Sequence, residues 1–259
     1  MIPLKDNLPT DRFPFVTVGL ILANIVVYLL AIRHGGNIIN GPTAPEELKY
    51  GAIPYALTHY GKHCGFVLNG AIVCQGQHGV TGTPPNTIPT WETVFTAMFM
   101  HASILHIGGN MLFLWIFGNN VEDAMGPVKY LGFYIVGGIA ALALQTAVAP
   151  NSPAPTLGAS GAIAAVLGGY ILLYPRARVL TLVFIILFFT VIELPALVVL
   201  GIWFIEQAVF GAANLTNPTG GGGGVAYFAH VGGFAFGLLT VKLLATRGRR
   251  QVPPRYPVY

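Results

Sequence analysis

Apolar residues run along this chain in long unbroken blocks rather than in the narrow stripes of a soluble amphipathic helix. A hydrocarbon core about 30 Å thick needs about 20 apolar residues per helical crossing. Six segments approach that length and predict membrane helices: Phe13–Ile32, Trp91–Gly118, Pro127–Ala149, Leu157–Tyr174, Pro195–Gly211 and Val225–Ala245. A further run, VLTLVFIILFFTVIEL at 179–194, reads either as an interfacial stretch or as a separate crossing. Joined to the next span it makes 33 residues, too many for one straight crossing, with Glu193 and Pro195 near the break.

Composition agrees with that pattern. Hydrophobic residues make up 54% of the 259 and charged residues only 8%, against about 25% charged in soluble domains. Mean hydropathy is +0.67, as expected of an integral membrane protein whose first partner is the lipid bilayer. The net charge of +4 does not indicate nucleic-acid binding, because the basic residues sit between and after apolar blocks. The first block is too long for a signal-peptide core and lacks a small-x-small cleavage site, so it reads as an uncleaved span.

Charge then sets the topology. Lys5 and Arg12 place the amino terminus in the cytoplasm, and Arg247, Arg249, Arg250 and Arg255 place the carboxyl terminus there too. The number of crossings is therefore even. With six, Lys129, Arg176 and Arg178 also fall inside, and only Arg33, Lys49 and Lys62 lie outside. The expected organisation is a cytoplasmic segment at 1–12, a six-helix membrane domain at 13–245 and a basic cytoplasmic tail at 246–259. The domain carries a long extracytoplasmic first loop at 33–90, and the expected setting is a bacterial plasma membrane. Cys64 and Cys74 in that loop fit one disulfide on an oxidising face better than a metal site, which usually takes four ligands. The glycine run at 220–224 reads as a mobile connection.

Polar groups inside spans are costly and therefore informative. Ser160 lies 16 residues before Arg176, His230 lies 17 before Arg247, and His106 lies 16 before Glu122. At about 1.5 Å per residue, all three stand roughly 24–26 Å above the charged side, just under the far surface. A serine hydroxyl becomes a nucleophile when a neutral histidine takes its proton, and the resulting oxyanion needs fixed donors. His106 and Asn110, four apart on one helix face, and the Ser160 amide at a helix start supply three. Gly158 and Gly161 leave room for backbone and substrate.

Plainer readings exist for each residue. A serine at a helix start can be a cap, and an intramembrane histidine can simply hydrogen-bond a neighbour. The glycines at 168, 169, 232, 233 and 237 read as close-packing faces between helices. A metal is poorly served by His101 and His106, five residues or about 140° apart on a helix, and no HExxH pair occurs. Glu206, near the outer end of the fifth span, reads as a snorkelling or paired carboxylate.

Three motifs together resemble the rhomboid intramembrane serine proteases. The family's GxSG appears as Gly158-Ala159-Ser160-Gly161. Its HxxxxHxxxN appears as His101, His106 and Asn110, and its AHxxGxxxG as Ala229-His230, Gly233 and Gly237. They occur in the family's order, and the likeness covers nearly all of residues 13 to 245. The resemblance implies an all-α, six-helix membrane bundle that hydrolyses peptide bonds in or beside the transmembrane segments of substrate proteins. It implies Ser160 as nucleophile and His230 as general base, without a carboxylate and without a cofactor. His106, Asn110 and the Ser160 amide would form the oxyanion hole, shaped by Gly158, with His101 in a supporting position.

Two departures stand out. Many bacterial members carry a tyrosine one turn after the serine, stacked on the histidine; here the position is Ala164, leaving Tyr227 or Phe228 to orient the ring. The first loop also lacks the family's frequent Trp-Arg pair. The competing reading is a rhomboid-like protein that binds membrane helices without cutting them. A transporter ranks last, for want of paired repeats.

Overall fold

Helices form where the apolar blocks lie, but two blocks fold otherwise. The computed structural model describes residues 1–68, 70–77, 80, 87–185, 188–216 and 225–246. Strand β1 (Ile2–Asp6) precedes helix α1 (Phe15–Ala31). The first loop holds α2 (Ala44–Tyr50), α3 (Pro54–Thr58) and a hairpin of β2 (Cys64–Phe66) and β3 (Ile72–Cys74), which a Cys64–Cys74 disulfide closes. Then come α4 (Thr90–Thr96) with a 3₁₀ turn, α5 (Ile104–Phe113), a π turn at Leu114–Gly118 and α6 (Asn119–Met125). The chain continues through α7 (Pro127–Val148), α8 (Ser160–Leu173), β4 (Arg178–Ile185), β5 (Phe188–Pro195), α9 (Ala196–Thr216) and α10 (Tyr227–Leu244). The fold is thus mostly helical.

Among the described residues three helices are long and apolar enough to cross a membrane: α7, α9 over Ala196–Asn214, and α10. A fourth crossing exists if the bent pair Thr90–Phe99 and Ile104–Met125 counts as one, while α1 and α8 are apolar but shorter. The expected continuous span Trp91–Gly118 is therefore corrected to two helices meeting at 77°. Ser103 is the local cause: its extended backbone and its Oγ, which accepts from the His106 amide at 3.2 Å, begin a new helix. The expected glycine run and the basic tail beyond residue 246 lie outside the described residues.

The run at 179–194 is neither a helical crossing nor a featureless interfacial stretch. It is an antiparallel hairpin, and β1 adds a third strand in the order β1-β4-β5. The all-α expectation is corrected to that extent. Val, Ile, Thr and Phe dominate the run, and β-branched and aromatic side chains favour the pleated backbone. Arg178 pairs with Pro195 across the hairpin, so the chain enters and leaves at one level. The hairpin adds no net crossing.

Two buried carboxylates fix this end of the molecule. Glu122, taken above as a surface marker, is only 4% exposed. Its carboxylate accepts from the Val16 and Thr17 amides at 3.0 and 2.8 Å and from the Thr17 hydroxyl at 2.8 Å. A side chain from α6 thereby satisfies the orphan donors at the start of α1. Glu122→Ala is expected to destabilise the fold by about 3 kcal/mol or more, since it strands three donors. Thermal unfolding in detergent checks this, and an unchanged midpoint would contradict it.

Asp6, on β1 and outside the spans, accepts through Oδ2 from the Tyr170 hydroxyl at 2.6 Å and from Asn120 Nδ2 at 2.7 Å. Burial pushes its carboxyl up to about 6, although the Tyr170 hydrogen bond pulls the other way. The folded state then holds the proton more tightly than the unfolded chain, whose value is near 3.8. Stability from this group is therefore greatest at low pH and falls as pH rises through about 6. The unfolding midpoint should climb as pH is lowered from neutral toward 5, and Asp6→Asn should flatten that dependence.

The core centres on α8. Every residue from Gly161 to Ile171 is buried, packed among α7, α10 and the π turn. Gly233 and Gly237 of α10 lie directly against the backbone carbonyls of Gly161 and Ala165, and Gly168 lies against that of Phe234. No side chain fits between the two backbones. This small-residue seam puts the start of α8 beside the start of α10.

Candidate active site

Ser160 is the first residue of α8, and the turn before it explains its placement. Gly158 has φ +116°, a conformation that side-chain-bearing residues avoid. A Cβ there would also come within 2.7 Å of His106 Nε2. The segment is held from both sides: Ala52 and Thr156 exchange backbone hydrogen bonds at 2.9 and 2.8 Å, and the Gly158 amide donates to Ala97 at 2.8 Å. The first loop and the 3₁₀ turn thus brace the serine.

His230, four residues into α10, meets this serine. Its Nε2 lies 2.8 Å from Ser160 Oγ. Its Nδ1 lies 2.7 Å from Gln207 Oε1 on α9, and the Trp203 ring sits 5.7 Å from its own. Tyr227, one of the residues expected to orient the ring, instead packs on Phe210. Ala164 is fully buried, with its Cβ at the Gly233 contact.

Ser160, His230, His106, Asn110, Gly158 and Gly161 line one cavity of about 340 Å³. Asn110 Nδ2 is buried and has no hydrogen-bond partner, a donor left free toward that space. His106 Nδ1 is 3.5 Å from the Ala102 amide, which donates to it. In a neutral ring the proton then sits on Nε2, the atom facing Gly158. His101 is buried behind this wall rather than in the cavity. Its Nδ1 donates to the Phe99 carbonyl at 3.2 Å and its Nε2 accepts from the Ala159 amide at 3.5 Å. It ties the 3₁₀ turn to the residue before Ser160.

Glu206 is exposed on α9; its neighbour Gln207 reaches the site. Gln207 carries neither a charge nor an imidazole, so its residue type alone does not mark it in the sequence. The available signal was spacing: Trp203 and Gln207 are four apart, on the helix face that continues from buried Leu200.

Residues 89–247 match the Rhomboid domain family. The chain belongs to the rhomboid family. It is 30% identical over 153 residues to yeast "Rhomboid protein 1, mitochondrial", covering 57% of this chain and 40% of the relative. It is 31% identical over 160 residues to Arabidopsis thaliana "RHOMBOID-like protein 12, mitochondrial", covering 56% and 44%. The human "Presenilin-associated rhomboid-like protein, mitochondrial" is 32% identical over 92 residues, or 35% and 24%. The matches thus span less than half the length of each relative. These three relatives are named as mitochondrial proteins, which overturns the expectation of a bacterial plasma membrane.

Proposed function

We propose that this chain is an intramembrane serine protease that cuts other membrane proteins in or beside their transmembrane segments. The reading rests on one observation above all: Ser160 Oγ lies 2.8 Å from His230 Nε2 at the wall of a cavity holding an unpaired Asn110 amide. His230 takes the hydroxyl proton as Ser160 attacks the scissile carbonyl carbon. The oxyanion receives Asn110 Nδ2, His106 Nε2–H and the Ser160 amide, donors fixed before the substrate arrives. The carbon–nitrogen bond then breaks, the leaving amine takes the proton from His230, and an ester to Ser160 remains. Water, deprotonated by the same imidazole, cleaves that ester and releases the new carboxylate.

Six crossings suit this role: α1, the bent α4–α6 unit, α7, α8, α9 and α10, with 1–12 and 246–259 flanking a 13–245 membrane domain. The basic ends then share one side, and the cavity opens toward the other. A substrate helix must unwind locally to present an extended strand to Ser160.

The test is cleavage in a bilayer. Reconstituted with a single-span protein carrying small residues near one membrane surface, the protein should release two fragments, with or without EDTA. Intact substrate after prolonged incubation with folded protein, across a panel of such spans, would sink the proposal.

A further inference from the structure

We propose that Gln207 is the positioning residue that sets the tautomer of His230 and steadies its charged form; this rests on the protease reading above. A neutral imidazole carries one proton, and the base needs its Nε2 lone pair facing the Ser160 hydroxyl. The proton must then reside on Nδ1, which in a buried site requires an acceptor. Gln207 Oε1, 2.7 Å away, is that acceptor. Were the amide reversed, its NH₂ would hold Nδ1 as acceptor and force the proton onto Nε2, pointing a donor at the nucleophile.

The choice of an amide has a physical reason. As the ring becomes imidazolium, the Nδ1–H···O bond becomes charge-assisted and strengthens. A carboxylate would strengthen it more, but at this depth an ionised group is costly to keep. The amide dipole stabilises the charged ring without being a charge itself. Trp203, on the same face of α9, packs against the ring and limits its swing. The ring is otherwise faced by Ser160 from α8, while Gln145 from α7 holds the neighbouring Ala229 amide at 3.3 Å. His106 on α5 lines the same cavity, and Glu206 is exposed. Gln207 thus makes α9 part of the proton-transfer apparatus.

The test is the rate of Ser160 modification by a soluble fluorophosphonate, measured across pH for wild type, Gln207→Leu, Gln207→Glu and Ser160→Ala. Gln207→Leu should react at least about ten times more slowly, because the productive tautomer loses its partner. Gln207→Glu should restore the rate at high pH, with its acid limb moved up by about one unit, because a carboxylate favours the imidazolium. A merely structural residue would not move that limb. Wild-type rates in Gln207→Leu, or an unmoved limb in Gln207→Glu, would overturn the assignment of Gln207 alone. If Gln207→Leu fails to fold, the limb of Gln207→Glu decides. No modification of wild type, matching Ser160→Ala, would instead remove the protease reading, and the role of Gln207 with it.

Discussion

Replacing Ser160 by alanine is expected to reduce substrate cleavage by roughly ten-thousand-fold or more while leaving the fold intact. The side chain is small, at the first turn of α8, and its loss opens no cavity of consequence. His230→Ala should cost about as much, because an unassisted hydroxyl is a poor nucleophile. The informative variant is the double. Two groups that share one proton act as a unit, so removing both should be scarcely worse than removing either. Additive losses would mean that the serine and histidine serve separate purposes and that their 2.8 Å contact is only structural. Cleavage rates and thermal unfolding of the three variants in one detergent settle the point.

The second large effect comes from a residue with no chemistry at all. Gly233 lies against the Gly161 carbonyl, so that even one methyl group at 233 would fall on that backbone oxygen. Gly233→Ala must push α10 off α8 by about 1 Å. Displacements of that size at a reacting pair cost about 100-fold in rate, and overpacking costs about 1–3 kcal/mol of stability. Gly237→Ala, next to the Ala165 carbonyl and one turn further from the dyad, should lose stability similarly but less activity. Gly201→Ala on α9, where a Cβ meets nothing within 4 Å, is the control and should be nearly silent. Full activity in Gly233→Ala would show that the seam does not set the distance between the two side chains.

These predictions show which parts of the protein were legible in its sequence. Ser160, His230, His106 and Asn110 could be found because each stands out as a polar residue in an apolar block, and because helical spacing puts two of them on one face. The glycines of α10 could be read as a packing seam for the same local reason. What the sequence hid depends on partners far along the chain. The run at 179–194 is apolar at all but Thr181, Thr190 and Glu193, so neither a helical nor a strand period stands out, and β1 joins it from about 175 residues away. The break before Ser103 comes from one cap within an apolar block. Glu122 passed for a surface charge because nothing in its neighbourhood announces that α1 will bring three donors to it. Gln207 is an ordinary amide until α9 and α10 pack together. Except at Ser103, whose cap is local, the missing information was a tertiary contact that turned an unremarkable side chain into a structural or chemical partner.

The most direct test of the central claim is to treat the folded protein in detergent with a fluorophosphonate and locate the adduct by mass spectrometry. The expected result is a single modification on the peptide bearing Ser160, absent from His230→Ala and from heat-denatured protein. Labelling that persists undiminished in Ser160→Ala, or falls on another residue, would contradict it.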